Sequence, residues 1–292
     1  MIIVRLLGGL GNQMFQYSAG LALALKHRVP LKLDLAFLLD RTPGSGGVAR
    51  KFDLDVFSIR ASIAKSSEIP FWYRHHGLGR FGRKCDRIRQ QVLPHSGTEV
   101  QYHFDVRFRR FGPSTYLEGF WQSPRYFEDW KEAVRNDLTL KETPPSHIRD
   151  YCGRLRDSAS VCINVRRGDF IGSTFHGTMS REYYLQALSF VTPVFPKPTL
   201  FVFSDDIEWC RRNLNLGFHT VFVDHSYAGP KFSHYFELMR ACRAFVIPNS
   251  SFAWWAAWLN RDQNKIVVAP KAWFMEPSRD TRDLTPETWI RV

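Results

Sequence analysis

Ser160-Val-Cys-Ile-Asn-Val-Arg-Arg-Gly-Asp169 passes within ten residues from a continuous apolar run to two guanidiniums, a glycine and a carboxylate. A short apolar run closed by a polar turn reads as a strand buried on both faces, the kind found in parallel sheets. Working outward, the same pattern predicts strands at 200–203, 220–223, 245–247 and 265–268, separated by helices at 181–190, 207–214, 232–242 and 252–259. Strand and helix alternating at these lengths predict a parallel sheet with helices on both faces. Upstream, Lys141-Glu-Thr-Pro-Pro-Ser146 interrupts the pattern with paired prolines and polar residues. That interruption predicts two domains, 1–145 and 146–292.

The N-terminal half opens on a strand, a glycine turn, a helix and a second strand. Ile2 to Leu7 is apolar, Gly8-Gly-Leu-Gly11 breaks it, 14–27 favours helix, and Leu31-Lys-Leu-Asp34 is extended. This is half of a nucleotide-binding-like unit, without the third glycine of a dinucleotide fingerprint. A helix is expected from Ser123 to Asp137, with Ser123 as N-cap and Pro124 in first position. Residues 52–117 read as irregular.

The chain has 292 residues, is 44% hydrophobic and 23% charged, and so belongs to the globular class. No apolar run reaches the ~18 residues of a membrane span, and Met1 leads directly into Ile2-Ile-Val4 with no charged leader; a cytoplasmic protein is expected. The five cysteines are scattered, without zinc-ligand spacing, and read as reduced and structural. A net charge of +12 calls for an anionic partner. From Arg74 to Arg110 nine basic residues meet only Asp86, Glu99 and Asp105, with Phe71, Trp72, Tyr73 and Phe81 interleaved. Such a stretch fits peripheral contact with lipid headgroups at the inner membrane surface or with a lipid-linked glycan; a solvated basic face is the plainer reading. No nucleic-acid-binding motif accompanies the charge, and no nucleic-acid partner is expected.

Ligands of parallel α/β sheets bind beyond the carboxyl ends of the strands. Three such positions are polar here: Arg166-Arg-Gly-Asp169, Ser204-Asp-Asp206 and Asn249-Ser-Ser251. Two guanidiniums grip a diphosphate through charge-assisted hydrogen bonds, and a serine-rich helix start adds backbone donors. Taken singly, each is as well read as a salt-bridged loop or an ordinary N-cap. Convergence at one sheet edge favours a ligand site. Asn12 and Gln13, at a helix mouth, suit sugar hydroxyls or phosphate, with capping as the plain alternative for Asn12.

Gly8-Gly-Leu-Gly-Asn-Gln-Met-Phe-Gln-Tyr17, Val165-Arg-Arg-Gly-Asp-Phe170, Phe203-Ser-Asp-Asp206 and Asn249-Ser-Ser-Phe-Ala-Trp-Trp255 resemble, in order and spacing, the motifs of glycosyltransferase family 11, the α-1,2-fucosyltransferases. The resemblance runs nearly end to end. It implies an α/β, GT-B-like fold of two Rossmann-like domains: 1–145 on the acceptor side, and 146–292, with a parallel sheet, binding GDP-fucose. It further implies transfer of L-fucose from GDP-β-L-fucose with inversion to the 2-hydroxyl of galactose in a glycan or lipid-linked oligosaccharide, with no metal or other cofactor. Arg166 and Arg167 are expected on the donor diphosphate, Ser250, Ser251 and Phe252 in the phosphate-binding turn, with Asn164, Ser204, Asp205 and Asn249 beside them, and Gly11, Asn12 and Gln13 also toward the donor, in the N-terminal loop that faces the reaction centre. Asn164 stands where most members carry His. Tyr235 stands where many carry Asp, which leaves Glu237 and Asp224 as the carboxylates expected to read guanine.

Inverting transfer passes through an oxocarbenium-like state, so the departing diphosphate needs fixed positive charge and the acceptor hydroxyl needs a base. Arg166 supplies the first. Asp169 is the first expectation for the base and His176 the second, with Asp169 as a mere anchor for the arginines as the alternative. A fucosyltransferase of α-1,6 or protein-O type is the rival within the chemistry.

Overall fold

The computed structural model describes residues 1–39, 50–70, 96–99 and 102–292. The glycine-rich stretch at 42–47, and the basic and aromatic residues from Phe71 to Arg89, lie outside the described residues. By internal contacts the chain divides into Met1–Thr139 with Arg282–Leu284, and Leu140–Thr281 with Thr285–Val292. The brief return of 282–284 to the first unit has no counterpart in the sequence reading.

The first unit is a five-stranded parallel sheet, ordered β3-β2-β1-β5-β4, with β1 Ile2–Arg5, β2 Leu31–Asp34, β3 Ser62–Ile63, β4 Ser96–Thr98 and β5 Thr115–Glu118. Helix α1, Leu10–His27, is almost wholly buried, and Gly20 lets it lie against the sheet: a Cβ there would fall 2.2 Å from a Val4 methyl. A four-residue helix, α2, follows β2 at Ala36–Leu39. The stretch read as irregular therefore hides three strands of two to four residues, too short for alternation to register. The helix expected from Ser123 to Asp137 is also corrected. Ser123 does cap, accepting from the Arg125 N–H, but it caps a 3-10 turn, Pro124–Tyr126; a second turn and then α3, Lys131–Asp137, follow. Between them Phe127, fully buried with its ring 6.3 Å from that of Phe15, takes φ −134°, and Trp130 takes φ −120°. Burial of Phe127 outweighs local helix propensity.

The second unit carries a six-stranded parallel sheet, ordered β11-β10-β9-β6-β7-β8. Its strands are β6 Ser160–Val165, β7 Thr199–Ser204, β8 Thr220–Phe222, β9 Ala244–Val246, β10 Ile266–Ala269 and β11 Ile290–Arg291. Its helices are α4 Ser146–Arg156, α5 Arg181–Val191, α6 Ile207–Asn213, α7 Ser233–Ala241 and α8 Ser251–Leu259. Every residue of β6 is buried, as a central parallel strand requires. Helix α4 starts where the linker was expected to end, and its buried Ile148, Cys152 and Leu155 show the i, i+4, i+7 spacing that marks it. Trp254, Trp255 and Trp258 are core: the first two are fully buried and the third 6% exposed.

Candidate active site

In the second sheet β6 is followed on one side by β7 and β8, while β9 and β10 lie on its other side. The order reverses between β6 and β9, and the crevice beyond their carboxyl ends is where this architecture binds ligands. One wall is Arg166-Arg-Gly-Asp169, after β6. The other is Pro248-Asn-Ser-Ser251, between β9 and α8.

The guanidinium of Arg166 is held at two corners, Nη2 2.5 Å from Asp169 Oδ1 and Nη1 3.0 Å from Asp205 Oδ2, and it lies 5.3 Å from the Phe170 ring centre. Asp205 reaches it from the end of β7, and its other oxygen accepts the backbone N–H of Arg167 at 2.9 Å. Arg167 stacks over Trp209 at 3.6 Å and meets Asp206 at 3.4 Å. Asp206 also caps α6, accepting from the Trp209 N–H. Planar guanidiniums fixed by carboxylates and aromatic faces have surrendered their rotamer freedom before any ligand arrives. Gly168 is required by contact: a Cβ there would stand 2.5 Å from Asp205 Oδ2.

On the opposite wall the buried Asn249 donates through Nδ2 to the carbonyls of His176, at 2.7 Å, and Trp273, at 3.1 Å. Its Oδ1 is buried and makes no hydrogen bond among the described residues. Ser250 is the N-cap of α8, accepting from the Ala253 N–H, so its capping reading holds whatever else it does. Ser251 begins the helix, and Phe252 packs edge-on against Phe236, centroids 5.2 Å apart. The His176 imidazole lies flat on Phe170, centroids 4.3 Å apart and planes 3° apart, with Phe175 edge-on. Burial lowers its pKa; Asp169 opposes that and Arg166 adds to it. The lowered pKa favours the neutral imidazole, the form a base requires.

Other residues read from the sequence lie differently. Asn164 is buried, its Nδ2 donating to the Phe203 carbonyl across the sheet, and so helps set the strand end. Ser204 is buried too; its N–H donates to the Tyr235 hydroxyl and its carbonyl lies 2.8 Å from His225 Nε2. Asp224 is half-buried just beyond β8 and accepts from Ser226, whose hydroxyl and N–H lower its pKa. Glu237 sits within α7, 2.7 Å from Arg240, with burial raising its pKa against the nearby Arg240 and Arg156. The ion pair of Glu237 runs to Arg240, away from the arginine cluster; Asp224 is followed in the chain by His225, whose Nε2 lies 2.8 Å from the carbonyl of Ser204, the residue before Asp205. Tyr235, singled out only as a departure, proves a strand clamp: its hydroxyl also donates to the Val223 carbonyl at 2.8 Å.

In the first unit Gln13 spends its whole amide on the backbone, donating to the Gly8 and Lys51 carbonyls and accepting from the Asp53 N–H. Gln16, unassigned in the sequence reading, does the same with Leu7 and Gly119. Gly11 is buried in the first turn of α1, and Asn12 accepts from Gln122 Nε2 at 2.8 Å.

The sequence pattern of glycosyl transferase family 11 matches residues 101–292. The chain is 31% identical over 300 residues to the alpha-1,2-colitosyltransferase of Escherichia coli, covering 100% of this chain and 98% of that one. It is 28% identical over 310 residues to the O-antigen biosynthesis glycosyltransferase WbnK of Escherichia coli, covering 98% of both. The fold is shared with fucosyltransferase NodZ from Bradyrhizobium, at TM-score 0.52 and 16% identity over 88% of this chain and 92% of that one. The chain thus belongs to glycosyltransferase family 11, whose members are α-1,2-fucosyltransferase-like enzymes of GT-B-like fold. No helix among the described residues is long and apolar enough to cross a membrane.

Proposed function

We propose that this glycosyltransferase is an inverting α-1,2-fucosyltransferase that moves L-fucose from GDP-β-L-fucose to the 2-hydroxyl of a galactose residue in a glycan, free or lipid-linked. The observation that carries the reading is the pinned guanidinium of Arg166 at the reversal point of the second sheet. Arg166 and Arg167 take the diphosphate, with backbone N–H groups at the start of α8 as further donors. Charge grows on the diphosphate as the fucosyl bond breaks, so contacts already in place stabilise the transition state without reorganisation. Arg166 now shares its charge with Asp169. When the diphosphate engages the guanidinium, Asp169 is released to accept the acceptor proton, with the neutral His176 as the next group in line. No cofactor is required, because the two guanidiniums supply the charge a cation would. A lipid-linked acceptor would bring the basic, aromatic stretch from Phe71 to Arg110 to the cytoplasmic face of a membrane.

Incubation with GDP-fucose and a panel of β-galactosides, followed by linkage analysis, tests the reading. An α-1,2 product is expected; a different linkage or no transfer overturns it. A second donor is favoured by the 31% identity to a colitosyltransferase. Colitose is 3-deoxy-L-fucose, so the two GDP sugars differ by one hydroxyl. Their kcat/KM ratio decides between them. A site built to bind that hydroxyl discriminates by several orders of magnitude.

A further inference from the structure

The amino-terminal end of the first sheet gathers the tail of a helix and the run into a strand. Helix α1 ends on Lys26 and His27 and is capped by Arg28 in the left-handed region. The segment 106–113 leads into β5 and lies against that tail: Lys26 Nζ donates to the Arg109 carbonyl at 2.6 Å, and His27 Nε2 to the Phe111 carbonyl at 2.7 Å. Strand β1 joins the two, since Ile2 pairs with Thr115 of β5 and its N–H donates to the Pro30 carbonyl at 2.9 Å. Lys26 and Arg109, 83 positions apart in the chain, thereby share one surface. Ligands of such sheets bind at the opposite, carboxyl end, so this surface is separate from the chemistry of the unit.

Lys26, Arg28, Arg109 and Arg110 are exposed there, and none of them pairs with a carboxylate among the described residues. Arg107 is held by Asp105 at 2.5 Å, and Arg109 lies over the Phe104 ring at 5.4 Å. Beside these cations Val106 is 68% exposed. It is firmly mounted. Asp105 accepts the Arg107 N–H, and the buried Phe108 packs on Phe111, Trp121 and Tyr126, with ring centres 5.7, 5.6 and 4.8 Å away. Like charges gathered without a counter-charge repel one another, and an anionic surface relieves that repulsion. A bilayer answers both features: acidic headgroups raise affinity about five-fold for each Lys or Arg near them, and the acyl boundary takes up an apolar side chain. Single-stranded nucleic acid would call for exposed aromatic platforms, whereas Phe104 and Phe108 are buried.

We propose that this end of the first unit docks on an anionic lipid bilayer, with Lys26, Arg28, Arg109 and Arg110 on the headgroups and Val106 at the acyl boundary. The inference rests on the membrane contact raised above for a lipid-linked acceptor, and deepens it by naming a surface that does not depend on which sugar is transferred.

The full chain should sediment with vesicles of phosphatidylcholine and phosphatidylglycerol mixed at about three to one, less so as salt rises, and should not sediment with phosphatidylcholine alone. Arg28→Asn combined with Arg110→Glu removes one cation and reverses another, with Asn tolerated in the left-handed region, and should weaken binding on the order of 100-fold. Val106→Trp should strengthen it several-fold, which a site for anions alone would not show. Melting temperature and transfer to a soluble galactoside should stay near the parent's in both variants. A parent that sediments equally with neutral vesicles or with neither, or a double variant that sediments as the parent does, overturns the surface even where fucosyl transfer stands. An RNA duplex that binds more tightly than the vesicles at matched phosphate concentration, and loses that binding in the double variant, assigns the face to nucleic acid and overturns it too. Vesicle binding that depends on these residues, in a chain that forms no α-1,2 product, leaves the surface standing while the proposed reaction falls.

Discussion

Arg166 and Asp205 meet across neighbouring strands, Nη1 to Oδ2 at 3.0 Å, and the same carboxylate fixes the backbone of Arg167. One acidic side chain thus holds the guanidinium of Arg166 and the backbone of Arg167, while the Arg167 guanidinium is fixed by Asp206 and Trp209. Arg166→Ala should lower kcat on the order of 100-fold, about 3 kcal/mol, by analogy with removing one preorganised oxyanion donor. Arg166→Lys should recover little, because a point charge cannot reproduce a planar fork. Turnover, GDP affinity and melting temperature measured together check this. A lysine variant that binds GDP and turns over like the parent would remove Arg166 from the chemistry.

The close fit of Gly168 to Asp205 gives a sharper test. Gly168→Ala places a methyl 2.5 Å from Asp205 Oδ2 and should cost turnover ~10-fold by moving the carboxylate. Asp205→Asn should act through the same contact, so a double-mutant cycle should show coupling of ~1 kcal/mol or more. Additive effects would mean that the two residues serve separate ends.

Stability should fall as pH rises through the weakly acidic range, on account of Glu99. Burial, only partly offset by the N–H groups of Phe120 and Trp121 that donate to it, pushes its carboxyl from the usual 4.5 up to about 7. Below about pH 4.5 it is protonated in both states, and its full contribution is present. Between there and 7 the unfolded chain ionises first, and about 3 kcal/mol is lost before the curve flattens. Melting temperature followed from pH 4.5 to 8 should show this slope, and Glu99→Gln should level it.

Trp255 is fully buried, with Trp254 edge-on at 5.0 Å and Trp258 at 5.3 Å. Trp255→Ala should therefore destabilise by ~3–5 kcal/mol, as large-to-small core changes do. Denaturant unfolding would register it. An unchanged unfolding midpoint with a weakened acceptor KM would instead assign the ring to sugar stacking.

Activity should survive EDTA. Asp205 and Asp206, the only acidic pair at a strand end in the sequence reading, are engaged with Arg166 and Arg167. Restoration of a chelated, inactive enzyme by Mg²⁺ or Mn²⁺ would overturn the arginine-based account of the leaving group.

The second sheet, apart from the two-residue β11, was legible because apolar strands alternate regularly with helices there: β6 falls at 160–165 as read, and the other predicted strands and helices lie within a residue or two at each end. The arginine cluster was legible for a related reason, since charge placed directly after a buried strand has few structural explanations. The first sheet was not, beyond β1, α1 and β2. Strand β5 is only Thr-Tyr-Leu-Glu, yet it sits inside the sheet, between β1 and β4. Its location depends on pairing with β1, residues more than a hundred positions away, and no local period records that. Gln13 illustrates the converse. An amide at a helix mouth looks like a ligand group in sequence, and only its three backbone partners reveal a structural brace.

Asp283 lies far along the chain, but its carboxylate accepts from Phe104 N–H and pairs with Arg125, and its carbonyl accepts from Ser123 Oγ, all within the first unit. During synthesis, therefore, the first half to be translated is the last to be finished. It must wait for the contacts of Asp283 until nearly the whole second half has left the ribosome. Neither half corresponds to one continuous stretch that could be expressed alone without loss, and a stop codon placed shortly before Arg282 would damage the amino-terminal unit as surely as the carboxyl-terminal one.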